Sequence, residues 1–341
     1  MKHSTISLAF VAGLALAHPA PSPPSAETTS SYTQTIASQA QATSVEMEAE
    51  IQRYWTTERI LAIDHDPYSP SDPPEIPPEL RPLGQEYSGK GAVPSTVGRL
   101  FYSVHMANGS LHDSTCTATL LRSQNKATLV TAAHCVHTGR QEPGSEMSLS
   151  WHANLLFVPG YHDDVPHANF TIARAFLSSR WIDERLHYVD DRAFIVLNRP
   201  DATAPAQDIQ FKQIDPPYGT RYIMGYTRSV TFGPKDTYRY GTPAFTGRRL
   251  AVSHGTAEDW WRFDHETTGI RSVQSGGSSG GPHFAEFNEE TGVGTVVAVN
   301  SLADYREEDG VRVTWMLGAP VHDEFSKGLY DAAQVVNPAL S

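Results

Sequence analysis

Two short stretches of this 341-residue sequence carry side chains suited to a proton-coupled attack on a carbonyl group. In Thr131-Ala132-Ala133-His134-Cys135 a histidine closes an apolar run, and in Gly277-Ser278-Ser279-Gly280-Gly281-Pro282 a serine stands in a glycine-rich segment. A serine hydroxyl is a poor nucleophile at neutral pH and needs a base within hydrogen-bond reach. An imidazole, with an ordinary pKa of about 6.5, can accept the proton and return it. Such an imidazole must in turn be held in one tautomer by a carboxylate. A tight glycine turn lets backbone N–H groups converge on one point, where negative charge developing on an oxygen is stabilised. Taken singly, a histidine at a strand end is most often packed or solvated, and a Gly-Ser stretch is most often a plain loop. The pairing of the two points to nucleophilic catalysis.

Other groupings are weaker. His162-Asp163-Asp164 followed by His167 lacks a regular ligand spacing and reads as a solvated loop, so no metal is expected. Trp260-Trp261 and Tyr238-Arg239-Tyr240 read as sheet packing. The serine segment also satisfies Gly-x-Ser-x-Gly, with Asp304 or Asp309 and His322 following in the order of an α/β-hydrolase esterase. That arrangement needs a helix directly after the serine, whereas Pro282-His283-Phe284 leads into a polar turn and another strand.

The elements that must position these residues are short runs rich in β-branched and aromatic residues, divided by Gly, Pro, Asn and Asp clusters. They are Val97 to Val104, Cys116 to Leu121, Thr128 to Thr131, Leu155 to Val158, Phe170 to Phe176 and Ala193 to Leu197, then Tyr222 to Tyr226, Leu250 to Ser253, Thr295 to Asn300 and Val311 to Leu317. Helical periodicity returns only over His322 to Ala333. Many strands and one terminal helix imply a barrel or a pair of barrels. The first quarter of the chain differs. Met1 to Ala17 has the charge, apolar run and small-residue end of a secretory signal and is too short to span a bilayer. From His18 to about Ala42 there is almost nothing large and apolar, so this stretch is expected to be flexible. One amphipathic helix is expected over Thr43 to about Ala62, with Thr43 and Glu46 as its capping box and Met47, Ile51, Tyr54 and Trp55 on one face. A proline-rich stretch from Pro67 to Pro82 then favours extended, exposed chain.

The histidine and serine motifs together resemble those of the chymotrypsin-like serine peptidases, and the likeness covers roughly Ser95 to the C-terminus. Gly98 to Phe101, Cys116 to Thr119 and Phe157 to Gly160 bring it nearest to the glutamyl-endopeptidase-like branch of bacterial and fungal secreted proteases. The resemblance implies an all-β fold of two antiparallel six-stranded barrels with a C-terminal helix. It implies peptide hydrolysis with His134, Asp191 and Ser279 as the catalytic triad, Asp191 opening the strand Asp191-Arg192-Ala193-Phe194-Ile195 and Asp190 lying one position out of phase. Gly277 and Ser279 would supply the oxyanion donors, and Val273, Ser301 and Ala303 would line the substrate pocket. Val273 bears no charge to pair with Lys or Arg. Asn300 stands where glutamyl-specific relatives carry a histidine, which makes a glutamate preference unexpected and favours uncharged side chains. Ser278 replaces the aspartate that trypsin-like zymogens pair with a new N-terminus, so activation is not expected to depend on such a pair. The organisation implied is a signal peptide over 1–17, a propeptide over 18–94 and a peptidase domain over 95–341, its two barrels meeting near 200–220. The apolar helix face in the propeptide is expected to dock on that domain.

Composition and compartment agree with this. The net charge of −12 excludes a nucleic-acid binder and leaves protein or peptide substrates as partners. No further segment is long and apolar enough for a membrane anchor, and a soluble, extracellular monomer without cofactors is expected. The two cysteines, Cys116 and Cys135, make one disulfide in an oxidising compartment, and Asn108-Gly-Ser110 and Asn169-Phe-Thr171 are glycosylation sequons.

Overall fold

The computed structural model describes residues 34–63, 84–141, 143–162, 168–184, 188–200, 204–213, 219–228, 245–260, 267–308 and 310–338. The signal segment Met1 to Ala17, the polar stretch up to residue 33, the prolines from Pro67 to Pro82, Asp163, Asp164, His167, Tyr238 to Tyr240, Trp261 and Asp309 lie outside them. The described residues fall in one compact unit, Gln34–Ser341.

The chain begins with strand β1 (Ile36–Ala40), helices α1 (Val45–Tyr54) and α2 (Thr57–Ile63), the short strand β2 (Gln85–Glu86) and the single helical turn α3 (Val93–Thr96). Strands β3 (Val97–His105), β4 (Leu111–Leu120), β5 (Thr128–Thr131), β6 (Ala153–Pro159) and β7 (Phe170–Ser178) follow, then the turn α4 (Ser179–Asp183) and β8 (Ala193–Leu197). Strands β3 to β8 run in the order β7-β6-β3-β4-β5-β8, and β8 pairs back onto β7, which closes a six-stranded antiparallel barrel.

After β9 (Asp208–Ile209) come β10 (Thr220–Gly225), β11 (Ala251–Thr256), β12 (Glu258–Asp259), β13 (Thr268–Arg271), β14 (Pro282–Asn288), β15 (Val293–Glu308), β16 (Val311–Pro320) and helix α5 (Glu324–Gln334). The second sheet runs β12-β13-β16-β15-β14-β10-β11-β2, with β9 parallel on β15. Its two arms curl together where the Val273 N–H, just past β13, donates to Ser253 Oγ on β11 at 3.2 Å. Each strand read from the sequence is present, but β4 starts five residues before Cys116 and β15 runs eight residues beyond Asn300. Helix α5 is capped by Asp323, whose side chain accepts from Ser326 N, and it buries Leu329 and Ala333.

The N-terminal arm departs from expectation in two ways. Ile36–Ala40, in the stretch expected to be flexible, is a strand. Strand β6 pairs only with the start of β7, at Phe170 and Thr171, and β1 takes the remaining edge from Arg174 to Ser178. This strand exists to satisfy an open sheet edge rather than to bury apolar surface, which is why hydropathy does not show it. The single expected helix is broken in two at Trp55 and Thr56, and its cap is Ser44, accepting from Met47 N, not Thr43. The break turns Trp55 inward: its ring packs 5.4 Å from that of Phe101, and its Nε1 donates to the Asn154 carbonyl at 2.7 Å. Tyr54 and Arg59 both bind Asp113, at 2.7 and 2.9 Å. Glu48 is buried and accepts from Arg199 at 2.9 Å and from the Thr171 hydroxyl at 3.2 Å.

Truncating Trp55 to alanine should therefore cost roughly 3–5 kcal/mol of stability in a denaturant titration. A cost below about 1 kcal/mol would mean that the arm is not packed in solution.

Candidate active site

Strand β5 ends at Thr131, and one turn of 3-10 helix, Ala133–Cys135, carries His134 out of the barrel wall. A second such turn, Tyr188–Asp190, delivers Asp191 just before β8, which pairs with β5. The Asp191 carboxylate is fully buried. It accepts from the His134 backbone N–H at 2.9 Å, from His134 Nδ1 at 2.7 Å and from the Ser301 hydroxyl on β15 at 2.6 Å. The carboxylate thereby fixes the proton of His134 on Nδ1 and leaves Nε2 as the acceptor. Asp190 turns the other way, 3.3 Å from Arg192 and 3.4 Å from Arg180. Of the two adjacent acids it is Asp191 that meets His134.

Burial works against the charged form of His134, but the charge of Asp191 and its hydrogen bond outweigh it, and the His134 pKa lies above the ordinary 6.5. His137 and His152, on the loop leaving this turn, are pushed down by burial to about 4 and about 3. Of these three imidazoles only His134 is shifted upward.

The serine turn lies between β13 and β14. Gly277 has φ +86°, and a Cβ there would stand 2.6 Å from the Tyr226 carbonyl oxygen, so only glycine fits. Among the described residues nothing accepts from the N–H of Gly277 or of Ser279, whereas Ser278 donates both its N–H and its hydroxyl to the Ser275 carbonyl, at 3.1 and 2.6 Å. The turn is gripped from both sheets. Thr117 on β4 donates its N–H to the Ser279 carbonyl at 2.8 Å and its hydroxyl to the Gly277 carbonyl at 3.1 Å. From β15, Asn300 donates its amide to the carbonyls of Ser278 and Met224, both at 3.0 Å, and its backbone exchanges hydrogen bonds with Gly280 and Gly281. Cys135 Sγ lies 3.7 Å from the Ser279 carbonyl oxygen, which sets the serine turn against the histidine turn. No hydrogen bond is made by Ser279 Oγ among the described residues; such contacts often tighten only when substrate is bound.

Cys116 and Cys135 form the expected disulfide, which ties β4 to the histidine turn. Their sulfurs and a nitrogen of His134 lie within 4.8 Å of one another, but bonded sulfurs are not thiolate ligands, so this cluster cannot hold a metal as it stands. Strand β14 starts at Pro282 directly after the serine turn, which removes the helix that an esterase elbow requires. Of the expected pocket residues, Val273 is buried, Ala303 packs against Ile223, Ala257, Ile270 and Met316, and Ser301 has its hydroxyl on Asp191. Thr117 and Asn300 were not read as supports of the site. The only trace of Thr117 in the sequence is its place in the Cys-Thr-Ala-Thr strand.

Residues 91–314 match the trypsin family model. The chain belongs to the trypsin family. Among solved structures it is similar to the protease Anisep from Arthrobacter nicotinovorans, with 22% identity, 74% of this chain and 100% of that one covered, and a TM-score of 0.57. It is also similar to the thermostable serine protease AL20 from an extremophilic microorganism, with 25% identity, 72% and 99% covered, and a TM-score of 0.55. A Glu endopeptidase aligns at 16% identity over 75% of this chain and 98% of that one, with a TM-score of 0.47. No curated protein matches. This trypsin-family member is accordingly a serine-type peptidase with a chymotrypsin-like fold.

The raised His134 pKa has a sign that can be checked. Because it exceeds the value in the unfolded chain, the His134–Asp191 pair stabilises the fold fully below about pH 6.5, and that contribution is lost as pH rises through the folded-state value. In an NMR titration the His134 ring should titrate above 6.5. Asp191→Asn removes the charge and keeps the burial, so it should bring the midpoint below 6.5. An unchanged midpoint in that variant would contradict the geometry.

Proposed function

We propose that this peptidase is a secreted endopeptidase that works through the triad His134, Asp191 and Ser279 and an acyl-enzyme. The observation that carries the reading is an imidazole oriented by a buried, fully satisfied carboxylate beside a serine turn with two backbone donors unspent. His134 Nε2 takes the Ser279 proton as Oγ attacks the scissile carbonyl carbon, and the resulting oxyanion accepts from the N–H groups of Gly277 and Ser279. The imidazolium, stabilised by Asp191, then gives its proton to the departing amine. Water repeats the sequence on the ester and frees Ser279. Ser278 keeps its hydroxyl inside the turn, which supports an oxyanion loop ordered without a buried N-terminal ammonium. Secretion rests on the signal segment, the sequons and the single disulfide. Asn108 and Asn169 are both exposed, which suits glycans.

The pocket side chains support an uncharged residue at the scissile bond. Ala303 lies opposite Met316 on β16, against a wholly apolar cluster. Asn300, at the place of the glutamate-reading histidine, is spent on Met224, Ser278 and the buried His283, whose Nε2 it meets at 2.9 Å. Burial drives the His283 pKa down to about 3, so this imidazole offers no positive charge either. A charged substrate side chain would enter such a site without a counter-ion, at considerable cost.

A fluorophosphonate probe should label Ser279 alone, and Ser279→Ala or His134→Ala should each lower kcat/KM by about ten-thousandfold or more while the unfolding midpoint stays near wild type. In the wild type, kcat/KM should rise with pH through a midpoint above 6.5. On a peptide library, cleavage after Ala, Val or Leu should exceed cleavage after Glu, Asp, Lys or Arg by about tenfold or more. Near-normal turnover in either variant would sink the triad, and preferred cleavage after Glu would sink the pocket reading.

A further inference from the structure

The N-terminal arm reaches the immediate neighbour of Asp191. Strand β1 runs antiparallel to β7 with Ile36 opposite Ser178, so the residues just before it arrive at α4. There Thr35 N–H donates to Ser179 Oγ at 3.0 Å, and Ser179 N–H donates to the Thr35 carbonyl at 2.8 Å. The side chain of Gln34 extends further: its amide nitrogen donates to Ser178 Oγ at 2.7 Å and to Asp190 Oδ1 at 2.9 Å. Asp190 is 3% exposed and is the immediate neighbour of Asp191. This acid also meets Arg180 on α4 and Arg192, whose guanidinium holds Asp323 at the start of α5, 2.5 Å away. The turn presenting Asp191 is thus held on one side by Gln34 and on the other, through Arg192, by Asp323 at the cap of α5. Trp181, between them on α4, has its ring 6.4 Å from that of His134 and donates its Nε1 to the His137 carbonyl at 3.1 Å.

The rest of the arm is held as firmly as any core element. It contributes a buried tryptophan, a buried carboxylate at Glu48 paired with the exposed Arg199, and a strand that completes the edge of β7. Losing it would expose the Phe101 ring face, leave the Thr171 hydroxyl and Arg199 without Glu48, and open five residues of sheet edge. Surface and hydrogen bonding of this kind argue for a permanent element rather than a piece discarded on maturation.

We propose that the segment Gln34 to Trp55 stays in the working enzyme and that Gln34 is a positioning residue, its amide holding Asp190 so that the adjoining Asp191 keeps its place against His134. The inference rests on the triad reading above. Whether the chain is cut between Ile63 and Gly84 or left whole, the arm remains bound through β1, Glu48 and Trp55.

The test uses the secreted, processed protein. Intact mass measured after denaturation should show peptide containing residues 34–55, either covalently joined or as a co-purifying fragment. Gln34→Ala should lower kcat about three- to tenfold, the scale of one ordinary hydrogen bond, since only part of the contact with Asp190 is felt at Asp191, with KM within about twofold. It should also move the pH midpoint of kcat/KM down towards 6.5, because an acid held less firmly against His134 raises that pKa less. Gln34→Lys, which restores a donor to Asp190, should recover both. Glu48→Gln, which weakens the arm far from Asp190, should lower the unfolding midpoint and leave kcat and the pH midpoint unchanged. Wild-type kcat and pH midpoint in Gln34→Ala, or full turnover by enzyme lacking residues 34–55, would overturn the proposal while leaving the triad intact. Full activity in His134→Ala would overturn both.

Discussion

A carboxylate shut away from water is the constraint around which this protein is arranged. An ionised acid with no solvent contact survives only if its lone pairs are met by donors and its charge by a group able to become positive. Asp191 has three such donors, two on His134 and one on Ser301. The first pair comes from the turn after β5, in the closed barrel; the third comes from β15, in the other sheet. Satisfying one buried charge therefore sets the two sheets against each other. The register of β15 on β16 slips between Asn300 and Leu302, and this bulge frees Ser301 from regular pairing so that its hydroxyl can turn to Asp191.

The serine turn obeys the same logic with neutral groups. Its carbonyls are taken by Thr117 from one sheet and by Asn300 from the other, while the N–H groups of Gly277 and Ser279 meet no acceptor among the described residues. Donors that need no reorientation when an oxyanion forms are the physical basis of preorganised stabilisation. Crowding enforces the arrangement. A Cβ at Gly280 would meet Thr131 Oγ1 at 2.1 Å, and one at Gly281 would meet the Met224 carbonyl oxygen at 2.0 Å, so the turn is pressed against both walls with no room to relax.

The sequence disclosed those parts of the molecule whose stability comes from side-chain chemistry. Runs such as Ala193-Phe194-Ile195-Val196-Leu197 bury every side chain and announce a strand. His134 and Ser279 stand out because each sits in a short motif whose composition differs from the strands around it. What stayed hidden is held by backbone or by partners distant in sequence. Strand β1 pairs an edge that exists only once the barrel has closed. Glu48 looks like a solvent-facing helix residue until Arg199, 151 positions away, is brought to it. Thr117 and Asn300 read as ordinary strand residues, since neither residue type reveals that its donors will end on the carbonyls of the serine turn. The single expected helix breaks at Trp55 because the tertiary gain of seating that ring on Phe101 exceeds the local gain of one more helical turn.

Two neighbouring acids show how local geometry divides work that composition cannot. The 3-10 turn ends at Asp190, and the two side chains part there, Asp190 to Arg180 and Arg192 and Asp191 to His134 and Ser301. Two carboxylates so close would each raise the cost of ionising the other. Arg180 and Arg192 stand at Asp190, and the donors from His134 and Ser301 converge on Asp191, so the pair remains tolerable. Arg192 reaches on to Asp323, and through it the helix that ends the chain takes part in holding the segment that presents the acid. The burial of Asp191 beside Asp190 has thus drawn a second acid, two arginines and both ends of the described chain into a single network. Changes far from the cleft act on Asp191 through that network, because none of its members can shift without leaving another buried charge short of a partner.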